Sequence, residues 1–162
     1  MPTARASRTI AAPVHELWEL VRDPHHLPRW WPRVARVEDV EDGAFTEVMK
    51  TKKGKLVRAD FSVVRVDEAA HTLCWEQRVA GTPFARVLAS AQTDVRLEPV
   101  GPGAQRAFGA DGGSAATGAT RVTLQLRQQL TGFFPRFGAY IVRRAAKATL
   151  ADALDGLERI SG

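Results

Sequence analysis

The segment SRTIAAPVHELWELVRDPHHLPRWWP, from Ser7 to Pro32, decides more about the fold than any other part of the chain. It predicts the end of a first strand, a turn and then a helix, because Pro13 suits the first turn of a helix, where its missing N–H costs nothing. The apolar residues of this helix recur at i, i+3, i+4 and i+7: Val14, Leu17, Trp18 and Val21. Asp23-Pro24 ends the helix, since the residue before proline is pushed out of the α region, and a second short turn or helix follows through Trp31.

Beyond this segment the hydrophobic period changes to two, which is typical of strands. Including the first strand, the pattern predicts strands at residues 3–11, 34–41, 45–51, 56–66, 71–79, 84–99 and 121–130. The connections, such as Asp42-Gly43 and Lys53-Gly54, are too short for parallel crossovers, so the sheet is predicted to be antiparallel. Residues 101–119 are rich in glycine and alanine and predict a flexible loop that lengthens a hairpin, not a second domain.

The last element is predicted to be a long helix over residues 135–160. One broad face of it carries the apolar and small residues Phe137, Ile141, Val142, Ala145, Ala146, Thr149, Leu150, Ala153 and Leu157. Small residues dominate the first half of this face and bulky ones the second half. Because bulky side chains seal against a sheet and small ones leave space, we expect one end of the helix to be packed and the other to cover a void.

Composition narrows the class of protein. A length of 162 residues suits a single domain, residues 1–162, and the net charge of +5 indicates a solvated basic surface rather than a nucleic-acid site, because the basic stretches lack interleaved aromatic residues. Cys74 is the only cysteine, which excludes an intrachain disulfide and fits a reducing compartment. We recognise neither a signal peptide nor an apolar run long enough to cross a bilayer, so we expect a cytoplasmic protein without integral membrane association.

The chain resembles the START-like (SRPBCC) superfamily of polyketide cyclase/dehydrase and lipid-transport proteins. The resemblance covers nearly the whole chain and is most specific in IAAPVHELWELVRDPHHLPRWWP, with support from LCWEQRVAGTPF and from Gly132-Phe133-Phe134 before the last helix. It implies the α+β helix-grip fold, in which a curved antiparallel sheet wraps around a long C-terminal helix and two short helices follow the first strand. It also implies a mostly apolar cavity between sheet and helix. Members bind lipids, sterols, polyketides, plant hormones or quinones, and some catalyse cyclisation or dehydration.

Strand alternation and this resemblance together select candidate ligand-binding residues: Trp30, Phe61, Trp75, Gln77, Phe84, Gln128, Phe137, Ile141 and Ala145. Gln77 and Gln128 are amides in otherwise apolar rows. A buried amide without a partner costs about 1–3 kcal/mol, so the two amides either orient the polar edge of a ligand or lie near strand ends in contact with water. The pattern leaves both interpretations open.

The sequence contains few candidate catalytic residues. The four histidines lack metal-ligand spacing and no catalytic motif is present, so we expect neither a metal nor another cofactor. Glu76 and Arg78 alternate to the face opposite Trp75, as does Cys74, which has no basic neighbour to activate its thiol.

We therefore expect a protein, monomeric or homodimeric, that binds a hydrophobic small molecule such as a lipid, polyketide or quinone. The enzyme alternative is a polyketide aromatase/cyclase or dehydratase that uses the same cavity. An ionisable side chain deep in the pocket with a shifted pKa would favour that alternative. A third possibility is an interaction module in which the hairpin from Lys50 to Arg58 contacts an anionic membrane or partner.

Overall fold

The structure, a computed structural model, describes residues 2–101, 118–131 and 136–161, without the side chains of Arg136 and Phe137. The strands are β1 Thr3–Ile10, β2 Val34–Glu41, β3 Ala44–Lys50, β4 Leu56–Asp67, β5 Thr72–Gln77, β6 Leu88–Val100 and β7 Ala119–Leu130. The helices are α1 Val14–Arg22, α2 Leu27–Trp30 and α3 Arg136–Ser161, and 3₁₀ turns lie at Pro24–His26 and Pro83–Arg86. None of the helices in the described part of the chain is long and apolar enough to cross a bilayer.

The seven described strands form one curved antiparallel sheet in the order β1-β7-β6-β5-β4-β3-β2. From β2 to β7 every strand therefore pairs with the next one along the chain. β1 pairs with β7 and forms one edge of the sheet, and β2 forms the other edge. The turn between β2 and β3 has Asp42 at φ 50° and Gly43 at φ 78°, which is the left-handed pair that a two-residue hairpin needs. A register shift after Val63 bends β4 against β5.

The two short helices follow the local sequence signals. Pro13 precedes α1 with extended backbone angles, and α1 buries Leu17, Trp18 and Val21. The indole Nε1 of Trp18 donates a hydrogen bond to a Glu68 carboxylate oxygen at 2.6 Å, which satisfies the one polar atom of that buried ring. The Asp23 carboxylate accepts from the His25 backbone N–H at 3.0 Å and caps the 3₁₀ turn that leads into α2.

The second half of α3 lies tightly against its neighbours. Leu150, Ala153 and Leu157 have no exposed surface, and Gly156 allows α3 to approach α2 at backbone distance. A Cβ atom at Gly156 would lie 2.8 Å from the Cα atom of Trp30 and nearer still to its carbonyl oxygen. Arg8 of β1 forms ion pairs with Asp155 and Glu158 on the adjoining exposed side of α3.

One predicted strand is shorter in the structure, and two predicted segments lie largely or wholly outside the described residues. The strand predicted over 84–99 begins only at Leu88, because Pro83 starts a 3₁₀ turn that carries Phe84. Most of the predicted loop at 101–119, and the Gly132-Phe133-Phe134 entry to the last helix, lie outside the described residues. The predicted helix-grip architecture is confirmed.

Candidate functional site

The concave face of the sheet, which α3 covers, has two unlike halves. Residues directly opposite each other in an antiparallel sheet share a face, so the strand registers identify the inward rows. The sealed half is at most 4% exposed and consists of Leu73, Val95, Leu97, Val122 and Leu124. The open half consists of residues that face the same way but are only half-buried: Phe61, Val63, Gln77, Leu126 and Gln128.

The same contrast runs along α3. Its buried face is set by Ala146, Leu150, Ala153, Leu154 and Leu157, and the last four of these lie in the second half of the helix. In the first half, Ala146 is the only described residue that is buried. The second half of α3 is therefore packed, as its bulky residues predicted. The void predicted beneath its first half stays a prediction.

The predicted positions of Ile141 and Ala145 on the sheet-facing side of α3 are wrong. Ile141 is 52% exposed and Ala145 is also exposed. Ile141 precedes Leu150 by nine residues, which is about two and a half helical turns, so it lies on the opposite side of the helix. The face drawn from the sequence was too broad, because alanine and isoleucine on the outer side were counted with the buried stripe. The side chain of Phe137 lies outside the described residues.

One carboxylic acid lies on the concave face. Glu47 of β3 is 2% exposed, and its direct neighbours across the sheet are Val37 on β2 and Ala59 on β4. No described residue forms a hydrogen bond or ion pair with its side chain. Burial in apolar surroundings raises the pKa of Glu47 to about 8, because it removes water from the charged form. Glu47 is therefore mostly protonated at neutral pH and can donate a hydrogen bond.

Aromatic side chains surround the open half. Phe45 and Phe61, opposite each other on β3 and β4, stack with ring centroids 5.4 Å apart and an interplanar angle of 9°. Trp75 on β5 is 3% exposed and lies edge-on to Trp31, with centroids 5.7 Å apart. Phe45 is 2% exposed and belongs to the core, as does Trp75, whereas Phe61 and Trp31 are half-buried and offer flat aromatic faces that favour contact with flat or fused-ring molecules.

The two predicted amides differ. Gln77 lies opposite Phe61 in the open half, and its Nε2 atom is buried without a hydrogen-bond partner among the described residues. Gln128 is half-buried on β7, opposite Ala91, and its side chain is not among the unsatisfied groups of the described residues. An unpaired buried donor reduces stability. Of the two amides, Gln77 is therefore the one whose N–H donor would gain most from a ligand acceptor.

The two adjacent tryptophans lie in different surroundings. Trp30 is 2% exposed and belongs to the core, beneath the close approach of Gly156. Its Nε1 atom has no hydrogen-bond partner in the part of the chain that the structure describes. Trp31 is half-buried, lies edge-on to both Trp30 and Trp75, and so connects α2 to the concave face. Consecutive residues at the end of a helix point in different directions, which the sequence alone did not resolve.

Other candidate side chains lie away from this face. Phe84 is half-buried on its 3₁₀ turn. Cys74 points to the convex face, opposite Asp94, and burial together with the Asp94 charge raises the pKa of its thiol to about 11, so it is not an activated nucleophile. Glu76 pairs with Ser62 and Gln92 on that same convex face, as its alternation predicted. No three His, Cys, Asp or Glu side chains within the described ranges group into a metal site.

Two grooves of about 360 and 390 Å³ open elsewhere on the surface. The first lies on the convex face, where Arg65 and Arg127 pair with Asp94 at 3.0 and 2.9 Å. The second lies at the junction of α2 and α3 and includes Asp152 and Arg159. Five of the ten residues that line each groove are charged, and the second groove is also lined by Trp30, Trp31, Pro28 and Pro32. Neither groove includes Glu47 or Gln77. The concave face is the better candidate because it combines apolar surface with the protonated Glu47 carboxyl group and the buried Nε2 atom of Gln77.

Glu47 is the residue that the candidate set lacked. It alternates with Phe45 and Met49 along β3, and both of those pack on the core. The alternation therefore predicts that Glu47 also points inward. A charged residue in a row of apolar ones was passed over because carboxylates are seldom buried without a partner.

The family comparison covers the whole chain. The model of the family described as "Polyketide cyclase / dehydrase and lipid transport" matches residues 1–162. No protein of curated function matches the sequence.

Solved structures show the same fold at low sequence identity. The di-domain ARO/CYC BexL from the BE-7585A biosynthetic pathway is similar with a TM-score of 0.73 and 21% identity over 98% of this chain. This chain spans about half, 46%, of the length of that protein. A START superfamily protein from Mycobacterium smegmatis has a TM-score of 0.72 and 13% identity, over 98% of this chain and 96% of that one. TTHA0849 from Thermus thermophilus has a TM-score of 0.67 and 22% identity, over 98% of this chain and 95% of that one.

Proposed function

We propose, because this chain belongs to the polyketide cyclase / dehydrase and lipid transport family, that it binds a hydrophobic small molecule between the open half of the sheet and α3. The ligand class is lipid, polyketide or quinone-like. One observation carries the proposal: Phe61, Val63 and Leu126 remain half-buried on the face where the sealed half is fully covered. Apolar surface left open on a concave face beside a buried unpaired amide is typical of a ligand site.

The first test is native mass spectrometry of the purified protein, followed by denaturing extraction of bound molecules. Two variants on adjacent residues of β7 provide the comparison. Leu126→Trp adds bulk to the concave face, whereas Gln125→Trp adds the same bulk to the convex face, since Gln125 lies opposite Asp94 and Arg5. We expect an extracted hydrophobic molecule from the parent protein and from Gln125→Trp, and its loss from Leu126→Trp. Equal retention by both variants would contradict a concave-face site.

A second candidate function is a dehydratase or aromatase/cyclase, and Glu47 favours it. A carboxylic acid with a pKa of about 8 holds its proton at neutral pH and can give it up within the pH range where enzymes work. In a dehydration, Glu47 would pass its proton to a departing β-hydroxyl group. The C–O bond breaks, water leaves, and the C=C bond forms with the electron pair released when solvent takes the proton next to the carbonyl.

The dehydration of 4-hydroxy-4-phenylbutan-2-one to 4-phenylbut-3-en-2-one tests this second function by absorbance. We expect the parent protein to accelerate the reaction at pH 7 and Glu47→Gln to lower the rate by about 100-fold or more, because an amide cannot transfer the proton. Equal rates for the parent and the variant would assign Glu47 to binding alone.

We also propose that the chain acts as one cytoplasmic domain, monomeric or homodimeric. The single cysteine, Cys74, is buried and free, which suits a reducing compartment. Light scattering on the eluting protein would determine the oligomeric state.

A further inference from the structure

Glu47 and Gln77 are buried polar groups that face the same side of the sheet and have no partner among the described residues. Glu47 lies opposite Ala59 and Gln77 lies opposite Phe61, on the two strands that flank β4. Two strand spacings and one two-residue step separate their Cα atoms by roughly 12 Å. The stacked rings of Phe45 and Phe61 lie in the row next to Glu47, and Phe61 lies beside Gln77. A fused-ring or extended molecule on these rings can therefore reach both polar groups.

Both groups offer hydrogen-bond donors. The unpaired atom of Gln77 is Nε2, an N–H donor. The carboxyl group of Glu47 is a donor as long as it holds its proton, and its apolar neighbours Val37 and Ala59 favour the protonated form.

Charged side chains on the neighbouring strands face away from Glu47. On β2, Arg36 and Glu38 pair with each other at 2.7 Å, and Arg58 of β4 pairs with Glu38 at 2.8 Å. Asp60 of β4 accepts from Thr46 at 2.6 Å, again on the face opposite Glu47. Across the described part of β2, β3 and β4, no cation is therefore available on the Glu47 side to neutralise a ligand carboxylate.

We infer that Glu47 and Gln77 determine ligand specificity by selecting an uncharged apolar molecule with carbonyl or comparable acceptor oxygens, and that the Glu47 carboxyl group donates a hydrogen bond to one of them. This inference rests on the proposed function and specifies its ligand. A ligand with a carboxylate would place an uncompensated charge beside Glu47 in a low-dielectric site, which is strongly unfavourable. A plain hydrocarbon would leave both donors unpaired.

Four probes that share one tricyclic skeleton test this inference: fluorene, fluorenone, fluorene-9-carboxylate and 9-aminofluorene. Isothermal titration calorimetry at pH 6 is expected to show fluorenone binding about tenfold more tightly than fluorene, the upper end of the gain from one hydrogen bond. The carboxylate is expected to bind more weakly than fluorene. At pH 9.5, where Glu47 has lost its proton and become an acceptor, the preference for fluorenone over fluorene is expected to fall.

Two variants separate the donor from its titration. Glu47→Gln keeps an N–H donor and is expected to retain the fluorenone preference at both pH values. Glu47→Met keeps the volume but removes the Glu47 donor, and is expected to show a smaller preference for fluorenone than the parent protein or Glu47→Gln at pH 6. The infrared C=O stretch of bound fluorenone adds a direct signature: it is expected at lower wavenumber in the parent and in Glu47→Gln than in Glu47→Met, which a purely structural role of Glu47 would not produce.

Each other result has a definite meaning. If fluorene and fluorenone bind equally in the parent protein at pH 6, the inference fails and the proposed function stands. If 9-aminofluorene binds most tightly, Glu47 acts as a carboxylate that pairs with a cation, and the inference is overturned. If neither fluorene nor fluorenone binds, the proposed function itself is contradicted.

Discussion

The two halves of the concave face are made from the same sheet and covered by the same helix, yet they serve different ends. In the sealed half, Leu73, Val95 and Leu124 belong to the same hydrophobic core as Leu150, Leu154 and Leu157 of α3 and are at most 4% exposed. In the open half, Phe61 and Leu126 are just as apolar but remain half-buried. The same division runs along α3, whose buried residues Leu150, Ala153, Leu154 and Leu157 all lie in its second half.

The polar groups of the concave face follow the same division. Glu47 and Gln77 belong to the inward rows around the open half. The Nε2 atom of Gln77 is buried without a partner among the described residues, and the Glu47 carboxyl group is buried in apolar surroundings. Unpaired buried polar groups reduce stability, and such groups cluster where a protein binds or transforms another molecule. Burial of apolar side chains in the sealed half stabilises the fold, whereas the unpaired polar groups around the open half reduce the free energy of unfolding.

The largest expected effect tests the contact that closes the sealed half. Gly156→Val would force a branched side chain into the backbone of α2 at Trp30, and we expect it to lower the free energy of unfolding by more than about 4 kcal/mol. Urea unfolding followed by far-ultraviolet circular dichroism measures this change. Ala151→Val on the exposed side of the same helix is the control, with an expected loss below about 1 kcal/mol. A tolerated Gly156→Val would show that α2 and α3 are not in close contact.

A pair of truncations on α3 compares its halves directly. Leu150→Ala removes a side chain with no exposed surface and is expected to cost about 4 kcal/mol of unfolding free energy, because a cavity remains. Ile141→Ala removes a side chain that is 52% exposed, and we expect a loss below about 1 kcal/mol. Similar losses from both truncations would mean that the first half of the helix is packed as tightly as the second.

The pH dependence of the free energy of unfolding tests how much the burial of Glu47 destabilises the protein when its carboxyl group ionises. Its pKa is raised in the folded protein to about 8, against about 4.3 in an unfolded chain. The folded state therefore holds a proton that the unfolded state has released, and stability falls as pH rises between these values. From pH 5.5 to 7.5 we expect the parent protein to lose about 3 kcal/mol relative to Glu47→Gln, at about 1.4 kcal/mol per pH unit. Parallel stability curves for the two proteins would show that Glu47 is ionised and solvated.

The sequence predicted the fold well because the fold depends on patterns that a chain displays locally. Pro13, the stripe from Val14 to Val21 and the alternation along β3 to β7 each indicate one element, and the structure confirms them. The face of α3 was harder, because Ile141 and Ala145 suit a buried stripe in hydrophobicity while lying on the outer side. Only the packing of Leu150 and its buried neighbours fixes the rotation of the helix.

The candidate site was less predictable because it depends on pairings between strands. Gln77 was found by alternation, but its lack of a partner is visible only in three dimensions. Glu47 follows the same alternation and was missed, since a carboxylate suggests solvent unless its neighbours Val37 and Ala59 are known. At the end of α2, Trp30 points into the core and Trp31 points towards the concave face. No periodic pattern in the sequence predicts which of two consecutive residues points which way.

The most direct test of the central claim is an amide chemical-shift titration of the ¹⁵N-labelled protein with fluorene. If the open half of the concave face is the ligand site, the largest shifts will fall on residues such as Phe61, Gln77 and Leu126, while Leu97 and Val122 in the sealed half change little. Largest shifts at Arg5, Arg65 and Arg96, which line the convex groove, would contradict the claim and move the site to the other side of the sheet.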